Sequence, residues 1–219
     1  MLKNTKLNSR VIVTFGVLSA LVGLYLVTNN YFQSKVLKAY NEMNLQILAL
    51  NDHEEIIEIE EIISNEEEKQ EEVKEEIKVE KPKITKPKIE YVASLSIPKI
   101  SLEQGLTAMN SKYNSVNYGI QIIKSSSFPN VKNGNLILAS HSGTSYRSIF
   151  KKLYKLTIGD ICVVSYKGKE YKYEITNIYN KPKIGKITID RDYNKNTLTL
   201  ITCTRNSDTE QTVYIGELI

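Results

Sequence analysis

The pattern of apolar and polar positions changes character several times along this chain. Val11 to Val27 (VIVTFGVLSALVGLYLV) is a run of 17 residues without a charge. It has no polar face. Its length is at the short end of what crosses a bilayer as a helix, and Thr28 and Tyr31 extend it. From Phe32 to Leu50 the apolar residues Val36, Leu37, Tyr40, Met43, Leu45 and Leu48 recur at helical spacing, which predicts a further helical stretch. The segment EEIIEIEEIISNEEEKQEEVKEEIKVE then alternates acids with isoleucine and valine. That pattern suits either a solvated helix or a disordered segment whose like charges repel. In KPKITKPKIE, Pro82 and Pro87 disfavour helix at the residue before each. Residues 29–90 therefore read as a juxtamembrane helix followed by an acidic, Pro/Lys-tipped stalk.

From about Tyr91 the period shortens. ASLSIPKISL reads as a strand around Pro98, which must sit at an edge or a strand end. NLILAS, residues 135–140, is a continuous apolar run, as expected of a strand buried on both faces. YRSIFKKLYKL, residues 146–156, shows helical spacing in Ile149, Phe150, Leu153 and Leu156. DICVVSY and EYKYEITNIY flank the turn KGK and predict a hairpin. KITI, TLTLITC and TVYIGELI complete the strands. Seven or eight short strands with one or two small helices predict a mainly β domain over residues 91–219: a closed, mostly antiparallel barrel.

Charge adds direction to this layout. Residues 52–80 hold 13 Glu and 1 Asp against 3 Lys, a local charge of −11 in a chain of net +4. The acidic stretch thus separates basic parts. Lys3, Lys6 and Arg10 precede the apolar run with no acid among them. Such a flank keeps the N-terminus, residues 1–10, in the cytoplasm and sends the remainder outside. A cleaved signal peptide is the competing reading. It calls for a shorter apolar region and a small-x-small site, and TNNYF offers none. Residues 11–28 are read as an uncleaved signal anchor in the cell membrane. Residues 81–219 carry 21 Lys/Arg against 10 Asp/Glu, scattered along the sequence. An outward-facing basic domain near an anionic wall or membrane is a simpler expectation than a nucleic-acid partner.

The candidate chemistry lies at two strand ends. His141 follows NLILAS directly, and Cys203 closes TLTLITC. Each is carried by a rigid element at its junction with a loop, where reactive side chains are commonly presented. A thiol attacks as thiolate, and a nearby imidazole can take its proton and later protonate a leaving amine. The bland alternatives are a buried free thiol and a hydrogen-bonded filler histidine. Cys162 alternates with Ile161 and Val163 inside a strand and needs no function. Two cysteines are too few for a disulfide framework. A Cys162–Cys203 bridge would remove the thiolate and is disfavoured. His53 lies in the acidic segment and receives no role. No metal-ligand cluster, phosphate-cradling loop or cofactor is expected from the motifs.

The order ASLSIPKI, LILASHSGTSYRSIFKKL, TLTLITC resembles the sortases, membrane-anchored cysteine transpeptidases of mainly Gram-positive bacteria. The family's cysteine lies in a TLxTC motif at a strand end, matched by Thr199 to Cys203 as TLITC. Its histidine follows a small residue after a strand, matched by His141 in ASHSG. The resemblance covers about residues 91–219. It implies a sortase-like barrel that cleaves an LPxTG-like sorting signal through a cysteine thioester. The acyl group then passes to an amine, either a peptidoglycan precursor or a pilin lysine, and the substrates are surface proteins or pilins.

One departure stands out. The family's arginine usually lies in the last strand, where this chain has Glu210 and Gln211 in EQTVYIGELI. Arg205, in the loop after the cysteine, is the substitute candidate, because a guanidinium can donate forked hydrogen bonds to an oxyanion. Its bland reading is a solvated loop charge. Arg147 and Arg191 are weaker candidates. The alternative reading of the whole chain is a non-catalytic, membrane-tethered binding or scaffolding module with this fold. A plain cysteine peptidase differs only in using water as acceptor. The sortase class, the sorting motif and the acceptor are left open, and the segment between Ile178 and Lys186 is a candidate wall of the groove.

Overall fold

A computed structural model describes residues 9–64, 89–184 and 187–219. The N-terminal part is one helix, α1, Ser9–Ser64. It contains one stretch, Val13–Asn51, long and apolar enough to cross a membrane, and the apolar residues of its first half are exposed. This is consistent with a single-pass anchor. The acidic segment is helical as far as Ser64, and residues 65–88 of the predicted stalk lie outside the described residues.

The remainder is mainly β. Strands β1 (Tyr91–Ile97), β2 (Leu102–Thr107), β3 (Gln121–Ile122), β4 (Asn135–Ala139), β5 (Ile161–Tyr166), β6 (Lys169–Pro182), β7 (Thr197–Cys203) and β8 (Glu210–Leu218) form one sheet. Its order is β2-β1-β5-β6-β8-β7-β4-β3, and the end strands β2 and β3 come together, so the barrel is nearly closed. All pairings are antiparallel except β4 with β7, which is parallel. Leu95, Ile97, Leu138, Phe150, Leu198 and Leu200 lie fully or almost fully buried in the core.

Local chemistry explains several elements. Pro98 cannot donate to a ladder, and it ends β1 by starting a 3₁₀ turn, Pro98–Ile100. The hairpin β5–β6 turns on Lys167 and Gly168, both with positive φ (50° and 66°), the signature of a type I′ turn.

Two sequence expectations are corrected. Residues 146–156 do not form an α-helix. The chain makes successive three-residue turns instead: Ser148 N–H donates to Ser145 C=O, Lys151 to Ser148, Leu153 to Phe150 and Leu156 to Leu153. Only Leu153–Lys155 is regular 3₁₀ helix. Apolar spacing of three and four serves such turns as well as a helix, and Phe150, Leu153 and Leu156 still reach the core. The described part of KITI is no strand either. Its described residues Ile187–Ile189 are irregular, and their alternation meets no neighbouring strand.

Of the apolar residues at helical spacing, Leu37, Tyr40, Leu45 and Leu48 are half-buried while Val36 and Met43 are exposed, and the most buried positions on the helix are the polar Asn41 and Asn44. β2 is an edge strand, and unpaired edge groups need covering. The Asn41 carboxamide provides that cover as a neighbouring strand would. Its Nδ2–H donates to Glu103 C=O (2.9 Å), and its Oδ1 accepts from Gly105 N–H (3.0 Å) and from Gln104 Nε2 (2.8 Å). The Tyr91 ring lies across Gly105 so closely that a Cβ there would stand 2.0 Å from it. Replacing Asn41 with leucine strands the Glu103 and Gly105 backbone groups, and a loss of about 2 kcal/mol in unfolding free energy is expected by thermal or urea titration.

Candidate active site

The site is built from the parallel ladder. β4 and β7 pair in the register Leu138 to Leu200 and Ala139 to Ile201. Leu136, Leu138, Leu198 and Leu200 enter the core. The two-residue alternation then turns Ala139, Ile201 and Cys203 to the opposite face. Beyond Ala139 the two chains stay side by side. Ser140 N–H donates to Ile201 C=O (3.3 Å), and Thr202 Oγ1–H donates to Ser140 C=O (2.8 Å). Ser142 Oγ–H donates to Cys203 C=O (2.8 Å). His141 and Cys203 each lie two residues beyond the last β4–β7 pair, Ala139 and Ile201, on these adjoining chain ends.

Both side chains are exposed, and both line one cleft of about 850 Å³ with Ser142, Arg147, Lys183, Arg205 and Asp208. A second cleft of about 560 Å³ opens on the other side of Cys203, over Phe150, Tyr154 and Tyr214, with Lys151 and Lys152 at its rim. Cys203 and Arg205 border both clefts. His141 borders the first alone.

The arginine candidates separate clearly. The Arg205 guanidinium lies 4.4 Å from the centre of the Tyr154 ring, a cation–π contact that holds a loop side chain beside Cys203. Arg147 also lines the first cleft and rests over Tyr146 at 5.3 Å; it projects from a turn, not the expected helix. Arg191 is committed elsewhere. It donates to Thr197 Oγ1 and to the carbonyls of Asn133, Asp192 and Lys195, at the start of β7. That is the opposite end of the strand from Cys203, roughly 20 Å away at 3.3 Å per residue. On β8, Gln211 stands directly across from Cys203, but its Nε2 donates to Pro182 C=O (2.8 Å). Glu210 accepts from Asn180 Nδ2.

Sequence reasoning passed over Ser142 and Tyr154. The signal for Ser142 was its position directly after His141. Nothing local marks Tyr154, because its partner lies 51 positions further along the chain. The segment expected as a groove wall is strand β6 as far as Pro182, and Lys183 reaches the cleft, donating to Ser207 and Asp208 carbonyls.

The two cysteines are both free and differ in environment. Cys162 is fully buried, and burial, with Asp160's charge adding to it, pushes its thiol up to about 12. Its thiolate is therefore scarce at neutral and mildly alkaline pH. Iodoacetamide between pH 7 and 9 is expected to carboxymethylate Cys203 at least about 100-fold faster than Cys162, read by peptide mass mapping.

The family model for the sortase domain matches residues 95–219. This chain belongs to the sortase family, and its fold is that of a sortase-type transpeptidase. Its structure is similar to sortase C1 from Streptococcus agalactiae, at 25% identity with a TM-score of 0.51, covering 63% of this chain and 72% of that one. It is also similar to sortase A from Corynebacterium diphtheriae (22%, TM-score 0.53, covering 59% and 60%). A third similar structure is a Clostridium perfringens sortase D5 transpeptidase (23%, TM-score 0.51, covering 59% and 79%). Comparison with curated proteins finds no match. Three differently lettered sortases resemble the chain about equally, so the fold assigns no class.

Proposed function

We propose that this chain is a membrane-anchored cysteine transpeptidase that cleaves an LPxTG-like sorting signal and transfers its acyl part to an amine. The observation that carries this reading is the pairing of β4 with β7, which brings exposed His141 and Cys203 to the rim of one cleft. The Cys203 thiol gives its proton to His141, and the sulfur attacks the Thr–Gly carbonyl to form a tetrahedral oxyanion. Arg205 donates hydrogen bonds to that oxygen. Collapse breaks the C–N bond, and His141 returns the proton to the departing amine. A thioester on Cys203 is left. An incoming amine, from a peptidoglycan precursor or a pilin lysine, attacks it while His141 accepts the amine's proton, and the C–S bond breaks to restore the cysteine. Water in place of the amine gives hydrolysis.

The basic residues before the apolar helix keep the N-terminus in the cytoplasm and the barrel, residues 91–219, outside the cell. Residues 1–10, 11–28 and 29–90 then serve as cytoplasmic flank, membrane anchor and connection. The reading is tested with a quenched LPxTG-type peptide and product analysis. Cleavage with amine-dependent ligation supports it, cleavage that ignores added amines makes the chain a peptidase, and no cleavage refutes it.

A second reading is favoured by Gln211, which stands opposite Cys203 with its amide already engaged. In that reading the domain binds sorting signals without turning them over, as a tethered scaffold. It requires peptide binding with no covalent adduct.

A further inference from the structure

We propose that the second cleft selects sorting signals carrying a carboxylate one residue removed from the scissile Thr–Gly bond; this rests on the reading of Cys203 as the residue that receives such a peptide. Lys151, Lys152 and Arg205 line that cleft, and no acid does. The first cleft adds Arg147 and Lys183 against the single acid Asp208. None of these five cations is ion-paired with a described residue; the ion pairs there involve Lys38, Lys99, Lys181 and Lys195. What sets this surface apart is the gathering of its cations on two adjoining concave walls with one acid among them.

The lysines are also held in place. Phe150 and Leu153 are buried on either side of them, and the turn between is closed by Leu153 N–H donating to Phe150 C=O. Lys151 and Lys152 are thus presented at the cleft by a pinned turn, while their side chains stay exposed. Like charges gathered on a concave wall reinforce one another's field. The floor of Phe150, Tyr154 and Tyr214 accepts the stem of a side chain, and the rim accepts its charge. A peptide whose carbonyl lies at Cys203 has neighbouring side chains within reach of this cleft, because Cys203 borders it. An aspartate or glutamate there meets three cations; a lysine meets repulsion.

The test uses the full chain as Cys203→Ala in detergent micelles, so that binding is read without turnover. Fluorescently labelled LPxTG-type peptides carry Glu, Gln or Lys either at the variable position or directly after the glycine, and binding is followed by anisotropy. At one of these positions the Glu peptide is expected to bind about 5- to 10-fold more tightly than the Lys peptide at low ionic strength. The ratio shrinks in 0.5 M salt, as screening over roughly 4 Å requires. In a Lys151→Glu/Lys152→Glu background the ratio inverts. Ratios within about twofold at both positions overturn the proposal, as does a preference that survives the double reversal or an absence of binding at every charge. Failure of the transpeptidase reading is seen separately, as a wild-type chain that forms no thioester.

Discussion

Replacing Cys203 with alanine is expected to abolish cleavage of an LPxTG-type peptide, with kcat falling on the order of 10⁴-fold or more. The size follows from the role: without the sulfur there is no covalent intermediate, and water would have to attack an unactivated amide. The fold gives this substitution little else to disturb. Cys203 is exposed at the end of β7, its side chain lies outside the core, and its carbonyl still accepts from Ser142. Thermal unfolding should stay within about 0.5 kcal/mol of wild type. Lost activity with an unchanged melting curve is the expected pair of results. Undiminished cleavage would assign the chemistry to another residue.

Replacing His141 with alanine has the next largest expected effect, a 10²- to 10⁴-fold loss of kcat on a peptide substrate. A purely structural histidine would slow all substrates alike or unfold the loop. A general acid makes a sharper prediction. The loss should be largest when the leaving group is an amine, which must be protonated to depart. It should shrink markedly on an activated thioester substrate, whose thiolate leaves unaided. The loop itself is held without the imidazole: His141 C=O accepts from Phe150 N–H, and Ser140 Oγ–H donates to Gly119 C=O. Both contacts are kept in the variant. An equal loss on amide and thioester would remove His141 from the acid role.

Much of this site could be read from sequence because the signals were local. An apolar pentapeptide ending in a small residue and histidine gave β4. TLTLITC gave β7 and put its cysteine at the tip, and a Lys-Gly turn gave the β5–β6 hairpin. Contacts between distant segments were out of reach. That β4 and β7 run parallel, and so carry residues 141 and 203 to one cleft, depends on a pairing 62 positions apart. The turns at 146–156 share apolar spacing with a helix, and only the backbone bonds tell them apart. Asn41 was invisible for a related reason. Periodicity weighs apolar residues, whereas the docking face of α1 also carries two buried asparagines, of which Asn41 completes the edge of β2. Of the arginines, Arg191 is fixed at the far end of β7 by its bonds to Thr197 and the carbonyl of Asn133, and Arg205 is held over the Tyr154 ring where it borders both clefts.

The most direct measurement is the intact mass of the wild-type chain mixed with an LPxTG-type peptide and no amine, followed by addition of one. Expected is a mass increase equal to the acyl fragment, mapped to the peptide containing Cys203 and discharged by hydroxylamine or by the added amine. A chain that binds the peptide yet never gains that mass, or gains it on any residue other than Cys203, would contradict a thioester mechanism at the β4–β7 tips.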